Sequence, residues 1–453
     1  MFTVTEERFF PASIVDEALY LAERAAGVPM IHGWIHTLEG EISSKAVQEA
    51  LDACINYYPK FKCILVSNYP SSKRWFRYCW EYRDIKSRDI LQEIEDPHMN
   101  TNGQGALTYY IKNHSSLSID ITCHVPIKVV LIRQPEQVNL IFVFHHAAVD
   151  GIGSFLFIQR FIQFYEEIFY QQKIWGDYTP DFRAISQPEI KPPWKHFSLR
   201  HFYGLRRGKA LFLQEPSAQE HTQEGEEPVG KLRAVVREIP PHQFNTIRAT
   251  AKKYQASFHN YLLAALFHTV KKWNQQHGEH SGCICINTPM NLRSSEDHTV
   301  GNIYSGFAIS LRPELVDDRR KTLKLIREKQ IVMIKNDVAR TTLNLTWFLK
   351  IVPLKIKRLM LKHHIHSFYP SLGFTNLGVF SPNPSHKNEE GFHYMGPARI
   401  CSISCIGIAN PWPMVLVLTY NDRMAISLSV SRSRFSFEAA ERFLDSFIWE
   451  LIE

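Results

Sequence analysis

The apolar run "NLIFVFHH" ends in two adjacent histidines, and Asp150 and Gly151 follow shortly after them. An imidazole has an ordinary pKa near 6.5 and is mostly neutral at pH 7. Held at a strand end, it can take a proton from a hydroxyl or amine as that group attacks an electrophile, so general-base catalysis is the chemistry these residues suit. Side chains alternate along a strand, which sends His145 and His146 to opposite sides and leaves one of them for any given cleft. Asp150 is close enough in sequence to act as an orienter, but it lies across a turn. Gly151 and Gly153 suit a sharp strand-to-helix connection. A lone histidine on an apolar strand is more often a satisfied core residue than a catalyst. The Asp and Gly at fixed offsets change that weighing, because four specified residues at about one in twenty each should occur by chance in only a few chains of this length per thousand.

The surrounding pattern shows which elements would hold these residues. "SIDITCHVPIKVVLIR" and "VNLIFVFHH" read as strands joined by the turn "QPEQ". Beyond Gly153, Phe155, Ile158, Ile162, Tyr165 and Phe169 follow helical spacing, and Phe157, Phe161, Phe164 and Ile168 fill the other side, which predicts a largely buried helix. Upstream, "MIHGWIHTLEG" predicts a strand. "SSKAVQEALDACINYYPKFK" predicts a helix capped by Ser43 or Ser44 and stopped by Pro59. Downstream, "LRAVVREI" and "CICINTPMNL" read as strands, with helices from Pro241 and through "SFHNYLLAALFHTVKKWNQQ" between them. "ARICSISCIGI" and "MVLVLTYNDRMAISLSV" read as strands, with Asn421 and Asp422 at the turn of the last hairpin, and the helix "FEAAERFLDSFIWELIE" closes the chain.

At 453 residues the chain suits two domains or one two-lobed unit. Its 45% hydrophobic, 12% aromatic and 21% charged residues describe a folded protein. The net charge of +7 comes from dispersed Lys and Arg, which argues against nucleic-acid binding and suits an anionic cofactor or a lipid surface. The eight cysteines show no zinc-knuckle spacing and read as reduced core thiols of a cytosolic protein. The acidic N-terminal segment does not read as a signal peptide, and no uncharged apolar run reaches about 18 residues. Prolines and the polar tract "QEPSAQEHTQEGEEPVG" mark a crossover. The expected organisation is therefore an N-terminal lobe over 1–172, a partly mobile crossover over 173–231 and a C-terminal lobe over 232–453.

"HHAAVDG" resembles the HHxxxDG signature of the thioester-dependent acyltransferases. That superfamily includes chloramphenicol acetyltransferase, condensation domains, plant alcohol acyltransferases, wax ester synthases and polyketide-associated acyltransferases. The helix ending in "YYPKFK", the segment "PMNLRSSEDHTVGN" and the element "FTNLGVF" resemble further pieces in the same order, so the likeness covers nearly the whole chain. It implies a two-lobed α/β fold like chloramphenicol acetyltransferase, each lobe a mixed sheet with helices, and an active-site tunnel between the lobes. On matching positions it implies His146 as general base and His145 as structural support. It also implies Asp150 in a buried salt bridge with Arg293, Gly151 as space for the donor, and Thr375, Asn376 and Asn302 as oxyanion or substrate contacts.

The implied reaction moves an acyl group from acyl-coenzyme A or a carrier-bound phosphopantetheine thioester to a small-molecule alcohol or amine. The thioester is a co-substrate, and no tightly bound cofactor or metal is expected. An acyl carrier protein is a candidate partner, and a monomer suffices. The Asp-Phe-Gly-Trp-Gly element of the plant enzymes is absent, which points towards standalone condensation-like or alcohol acetyltransferase-like proteins. The alternatives are a freestanding amide-forming enzyme and a non-catalytic acyl- or lipid-binding module of the same fold. His363 and His366 in "KHHIH" lack a carboxylate or cysteine companion and read as part of a solvated basic helix. "LKIVPLKIKRLMLKHH" and "RHFYGLRRGKALF" mix apolar and basic residues as interfacial segments do, so a cytoplasmic protein with peripheral membrane contact is an open expectation.

Overall fold

A computed structural model describes residues 8–67, 78–96, 104–171, 179–186, 232–278, 282–339, 352–367, 370–382, 391–408, 412–432 and 434–453. In chain order the first strands are β1 (Phe9–Pro11), β2 (Ile31–Glu39), β3 (Cys63–Val66), β4 (Cys79–Tyr82), β5 (Leu91–Glu95), β6 (Ile127–Arg133), β7 (Val138–His145) and β8 (Leu232–Ile239). They are followed by β9 (Ile284–Asn291), β10 (Tyr304–Leu311), β11 (Leu372–Val379), β12 (Tyr394–Met395), β13 (Ala398–Ile406), β14 (Met414–Tyr420) and β15 (Arg423–Ser431).

Two six-stranded sheets carry the architecture, in the orders β12-β13-β2-β7-β6-β5 and β10-β9-β11-β14-β15-β8, beside a small sheet β1-β4-β3. Both large sheets are mixed. β5 runs parallel to β6 in the first, and β11 runs parallel to both β14 and β9 in the second. Helices flank them, giving the expected two-lobed α/β fold.

β7 is buried along its whole length because both faces of its sheet are covered, and a strand in that position reads as a continuous apolar run. Leu140, Phe142 and Phe144 join a core that includes Phe157, Phe161 and Phe164 of the helix Gly151–Phe169. Ile141 and Val143 join another with Tyr20, Leu21 and Ile31. No residue of the helix Gly151–Phe169 is exposed, as its two apolar sides require. The hairpin at "QPEQ" closes with Gln134 N donating to Gln137 O at 2.9 Å. At the last hairpin Asn421 and Asp422 adopt φ of 48° and 53°, left-handed conformations that Asn and Asp tolerate.

The structure departs from the sequence reading at two points. The strand expected from "SIDITCHV" begins only at Ile127. Asp120 Oδ1 instead accepts from Thr122 N at 3.0 Å and from its hydroxyl at 2.6 Å, turning the chain. Residues 232–453 were expected to form one lobe, yet β13 pairs with β2 and extends the first sheet, so the lobes share chain. Most of the expected crossover, including 187–231 with "RHFYGLRRGKALF", lies outside the described residues, as do the side chains of His363 and His366.

Candidate active site

Strand parity separates the two histidines. His145 continues the Ile141 and Val143 face and is fully buried. Its Nε2 lies 2.9 Å from Glu23 Oε2 on the helix Ile14–Ala26, and its Nδ1 accepts from Ala147 N at 3.1 Å. His145 thus ties the strand end to that helix. His146 N donates to Met30 O at 2.7 Å, which turns its ring to the other side. There the ring centroid lies 5.5 Å from that of His32 and 5.6 Å from that of Tyr304.

The His146 side chain is half-buried. Its Nδ1 is buried with no well-aligned hydrogen-bond partner among the described residues, so Nε2 is the nitrogen left for a reactant. Burial pushes the imidazole below its ordinary pKa, against the pull of its own backbone carbonyl and of the Asp150 carboxylate. A depressed pKa keeps the ring neutral at pH 7, the state a general base requires.

Asp150 does not touch the ring. It caps the helix Gly151–Phe169, with Oδ1 accepting from Gly153 N at 2.7 Å. Its Oδ2 accepts from Arg293 Nη1 at 2.9 Å and from Ile303 N at 2.8 Å. Arg293 also donates from Nε to Thr299 O at 2.9 Å, from Nη2 to Gly301 O at 2.7 Å and from Nη1 to Asn291 Oδ1 at 3.2 Å. Both side chains are nearly inaccessible. The pair therefore clamps the end of β7 against the loop between β9 and β10.

The glycines serve closeness more than backbone freedom, since neither Gly151 nor Gly153 has positive φ. A Cβ on Gly151 would lie 2.8 Å from Leu377 Cδ2, and one on Gly153 would lie 2.6 Å from Val149 Cγ2 and 3.2 Å from Gly301 O.

Asn302 is a further link between the lobes. Its Nδ2 donates to the His146 carbonyl and to Asp16 Oδ1, both at 2.9 Å. Asp16 forms a buried ion pair with Lys60 at 2.6 Å, each side chain 1% exposed, and its Oδ2 also accepts from Trp80 Nε1 at 2.9 Å. Sequence reasoning missed Asp16, Lys60, Trp80, His32 and Tyr304. Lys60 lies in the "YYPKFK" turn already singled out, but its partner is far away in sequence. Thr375 and Asn376 are half-buried on β11 next to Leu377, the residue that meets Gly151. Asn376 Oδ1 accepts from Gly378 N at 3.0 Å at the bulge of that strand. No described hydrogen bond joins either residue to His146.

A family model described as Condensation domain matches residues 30–452. The chain belongs to the condensation-domain family. No curated protein sequence matches it. Among solved structures, a trichothecene 15-O-acetyltransferase from Fusarium sporotrichioides is similar, with TM-score 0.72 and 10% identity over 98% of this chain and 95% of that one. The first condensation domain of the calcium-dependent antibiotic synthetase, in complex with a substrate analogue, matches with TM-score 0.70 and 11% identity over 99% and 97%. The starter condensation domain of rhizomide synthetase, in complex with C8-CoA and Leu-SNAC, matches with TM-score 0.63 and 13% identity over 98% and 94%. Family membership and the shared fold support acyl-transfer or condensation chemistry at the level of the superfamily.

Among the described residues, no group of three or more His, Cys, Asp or Glu side chains is placed to hold a metal ion. No described helix is long and apolar enough to cross a membrane. The eight cysteines are free thiols, with Cys123 exposed and the others buried or half-buried. A cavity of about 950 Å³ bordered by Tyr82, Ile90, Val125 and Lys128 lies in the first lobe, and none of its lining residues belongs to the His146 cluster.

Proposed function

We propose that this condensation-family chain transfers an acyl group from a thioester to a hydroxyl or amine, with His146 as general base. The observation that carries this reading is a neutral imidazole whose accessible nitrogen sits at the seam between the lobes, on a loop clamped by the Asp150–Arg293 pair. The acceptor's proton passes to His146 Nε2 as its oxygen or nitrogen bonds to the thioester carbonyl carbon. The C–S bond of the tetrahedral adduct then breaks, and the departing thiolate takes the proton back from the imidazolium. No covalent acyl-enzyme is required. Holding both reactants between two lobes supplies proximity.

Thr375 is our candidate donor to the developing oxyanion, since its strand neighbour Leu377 borders Gly151. Asn302 holds the His146 carbonyl and Asp150 holds the loop, so both act as positioning residues. The donor is acyl-coenzyme A or a carrier-bound phosphopantetheine. The similar starter condensation domain bound to C8-CoA favours the former as the first to test. Purified protein offered a panel of acyl thioesters with alcohol and amine acceptors, read by mass spectrometry, should form ester or amide with release of free thiol. A folded protein inactive across that panel would favour the non-catalytic binding module.

Peripheral contact with an anionic lipid surface belongs to the same proposal. Lys355, Arg358 and Lys362 on the helix Leu354–Ser367 are exposed beside exposed Ile356, Leu359 and Met360. No acidic residue occurs between Asp337 and Glu389. Cations bordering apolar side chains suit an interface between headgroups and acyl chains.

A further inference from the structure

Tyr304 opens β10 directly after two residues that tie the second lobe to the His146 loop. Asn302 Nδ2 donates to the His146 carbonyl at 2.9 Å, and Ile303 N donates to Asp150 Oδ2 at 2.8 Å. Those bonds fix the backbone on which Tyr304 stands. Its ring lies beside the His146 imidazole, with centroids 5.6 Å apart and planes inclined at 36°.

A tyrosine packed into a protein usually finds a partner for its hydroxyl. Tyr261 donates to Leu451 O at 3.1 Å and Tyr420 to Ile400 O at 2.9 Å. Tyr304 is half-buried, yet its hydroxyl has no hydrogen-bond partner among the described residues. Nor is that oxygen one of the unpartnered polar atoms sealed from solvent, so it opens onto the space at the seam. Burial, then the nearby Asp150 and Asp16 carboxylates, push the phenol above its ordinary pKa and keep it a protonated donor at pH 7. Arg293 and Lys60 pair with those carboxylates and limit their repulsion of any other anion there.

A free donor beside the base is what the transfer step needs. As the acceptor's proton passes to His146, an electron pair moves onto the thioester carbonyl oxygen. That oxygen and the newly bonded acceptor atom share one tetrahedral carbon, so a donor to the oxyanion must stand close to the base. The geometry points to Tyr304 as a further catalytic residue, its hydroxyl donating a hydrogen bond to the thioester carbonyl oxygen as negative charge develops there. This rests on acyl transfer with His146 as the base. The phenol keeps its proton throughout, and no covalent bond to it is made or broken. It joins Thr375, which stands across β9 in the same sheet.

The test uses the full chain and whichever acyl thioester and acceptor the panel yields. Tyr304→Phe removes one oxygen atom that bonds to no described residue, so melting temperature should be unchanged. It should lower kcat by about 10²-fold with KM little changed, as loss of an oxyanion donor does. Fluorotyrosines placed at position 304 keep the hydroxyl and make the phenol more acidic. Since a phenolate cannot donate, each should bring the alkaline limb of the pH–rate profile to lower pH in step with its acidity. All have the same neighbours, His146, Asp150 and Asp16, so a limb that follows the substituent belongs to the phenol. A Phe variant with wild-type kcat, a loss confined to KM, or an alkaline limb indifferent to fluorination overturns the inference. If the panel yields no transfer, or His146→Ala transfers at the wild-type rate, the base assignment fails and this inference with it. If His146→Ala is inactive while Tyr304→Phe matches wild type, only the role of Tyr304 falls.

Discussion

Asp150 and Arg293 meet at 2.9 Å across the seam between the lobes, with side-chain exposures of 6% and 2%. The aspartate that follows the two histidines thus faces an arginine 143 positions away in the chain, and its remaining contacts are with backbone N–H groups. Its chemistry is that of a helix cap and a clamp.

Removing one partner of that pair strands a buried charge. Asp150→Ala or Arg293→Ala should each cost about 3–5 kcal/mol of stability by denaturant titration. The double variant should be no less stable than the worse single one, giving a clear coupling energy in a double-mutant cycle. Additive losses would mean that the pair is not a unit.

Asn302→Ala removes the amide that holds both the His146 carbonyl and Asp16. Displacing a base by a fraction of an ångström to one ångström costs on the order of 10²-fold in rate. A kcat loss of that order, with KM little changed, is expected in steady-state kinetics. Wild-type kcat would remove Asn302 from the positioning of His146.

Acid should destabilise the fold through its buried histidines. His36 is buried among Trp34, Phe142 and Phe380, and burial pushes its pKa down to about 3. Below about pH 6.5 the unfolded chain binds a proton that the folded chain refuses, so stability is full above that pH and falls as pH drops towards 3. By pH 5 one such histidine accounts for about 2 kcal/mol. His36→Phe should therefore flatten the acid side of a stability–pH curve measured by urea titration at several pH values, and an unchanged slope would contradict the assignment.

Reversing two exposed cations of the helix Leu354–Ser367, as Lys355→Glu and Lys362→Glu together, should abolish sedimentation with phosphatidylserine vesicles while leaving melting temperature unchanged. These side chains are exposed, and surface substitutions of this kind seldom alter stability much. Equal sedimentation of the variant and wild type would exclude this face.

What could be read from the sequence was local and periodic. The end of β7, the turn and the following helix were legible because one apolar run, one N-cap and two apolar helix sides lie in about 30 consecutive residues. The fold followed from the "HHAAVDG" resemblance and the alternation of strands and helices. Asp16, Lys60 and Trp80 were not legible, because each comes from a separate segment and a buried ion pair leaves no spacing to read. The exchange of β13 into the first sheet is a tertiary fact that its residue pattern does not carry. "SIDITCHV" has the alternation of a strand, but the Asp120–Thr122 turn overrides it. His32 reads as one more residue of an apolar strand, and its contacts with Ser154 and His146 come from separate segments.

The most direct measurement of the whole account is transfer by wild-type protein and by His146→Ala, with the same acyl thioester and acceptor, alongside the melting temperature of each. A general base contributes about 10²- to 10⁴-fold. The account requires a loss of that size in kcat with melting temperature essentially unchanged. Transfer by His146→Ala at the wild-type rate would contradict it.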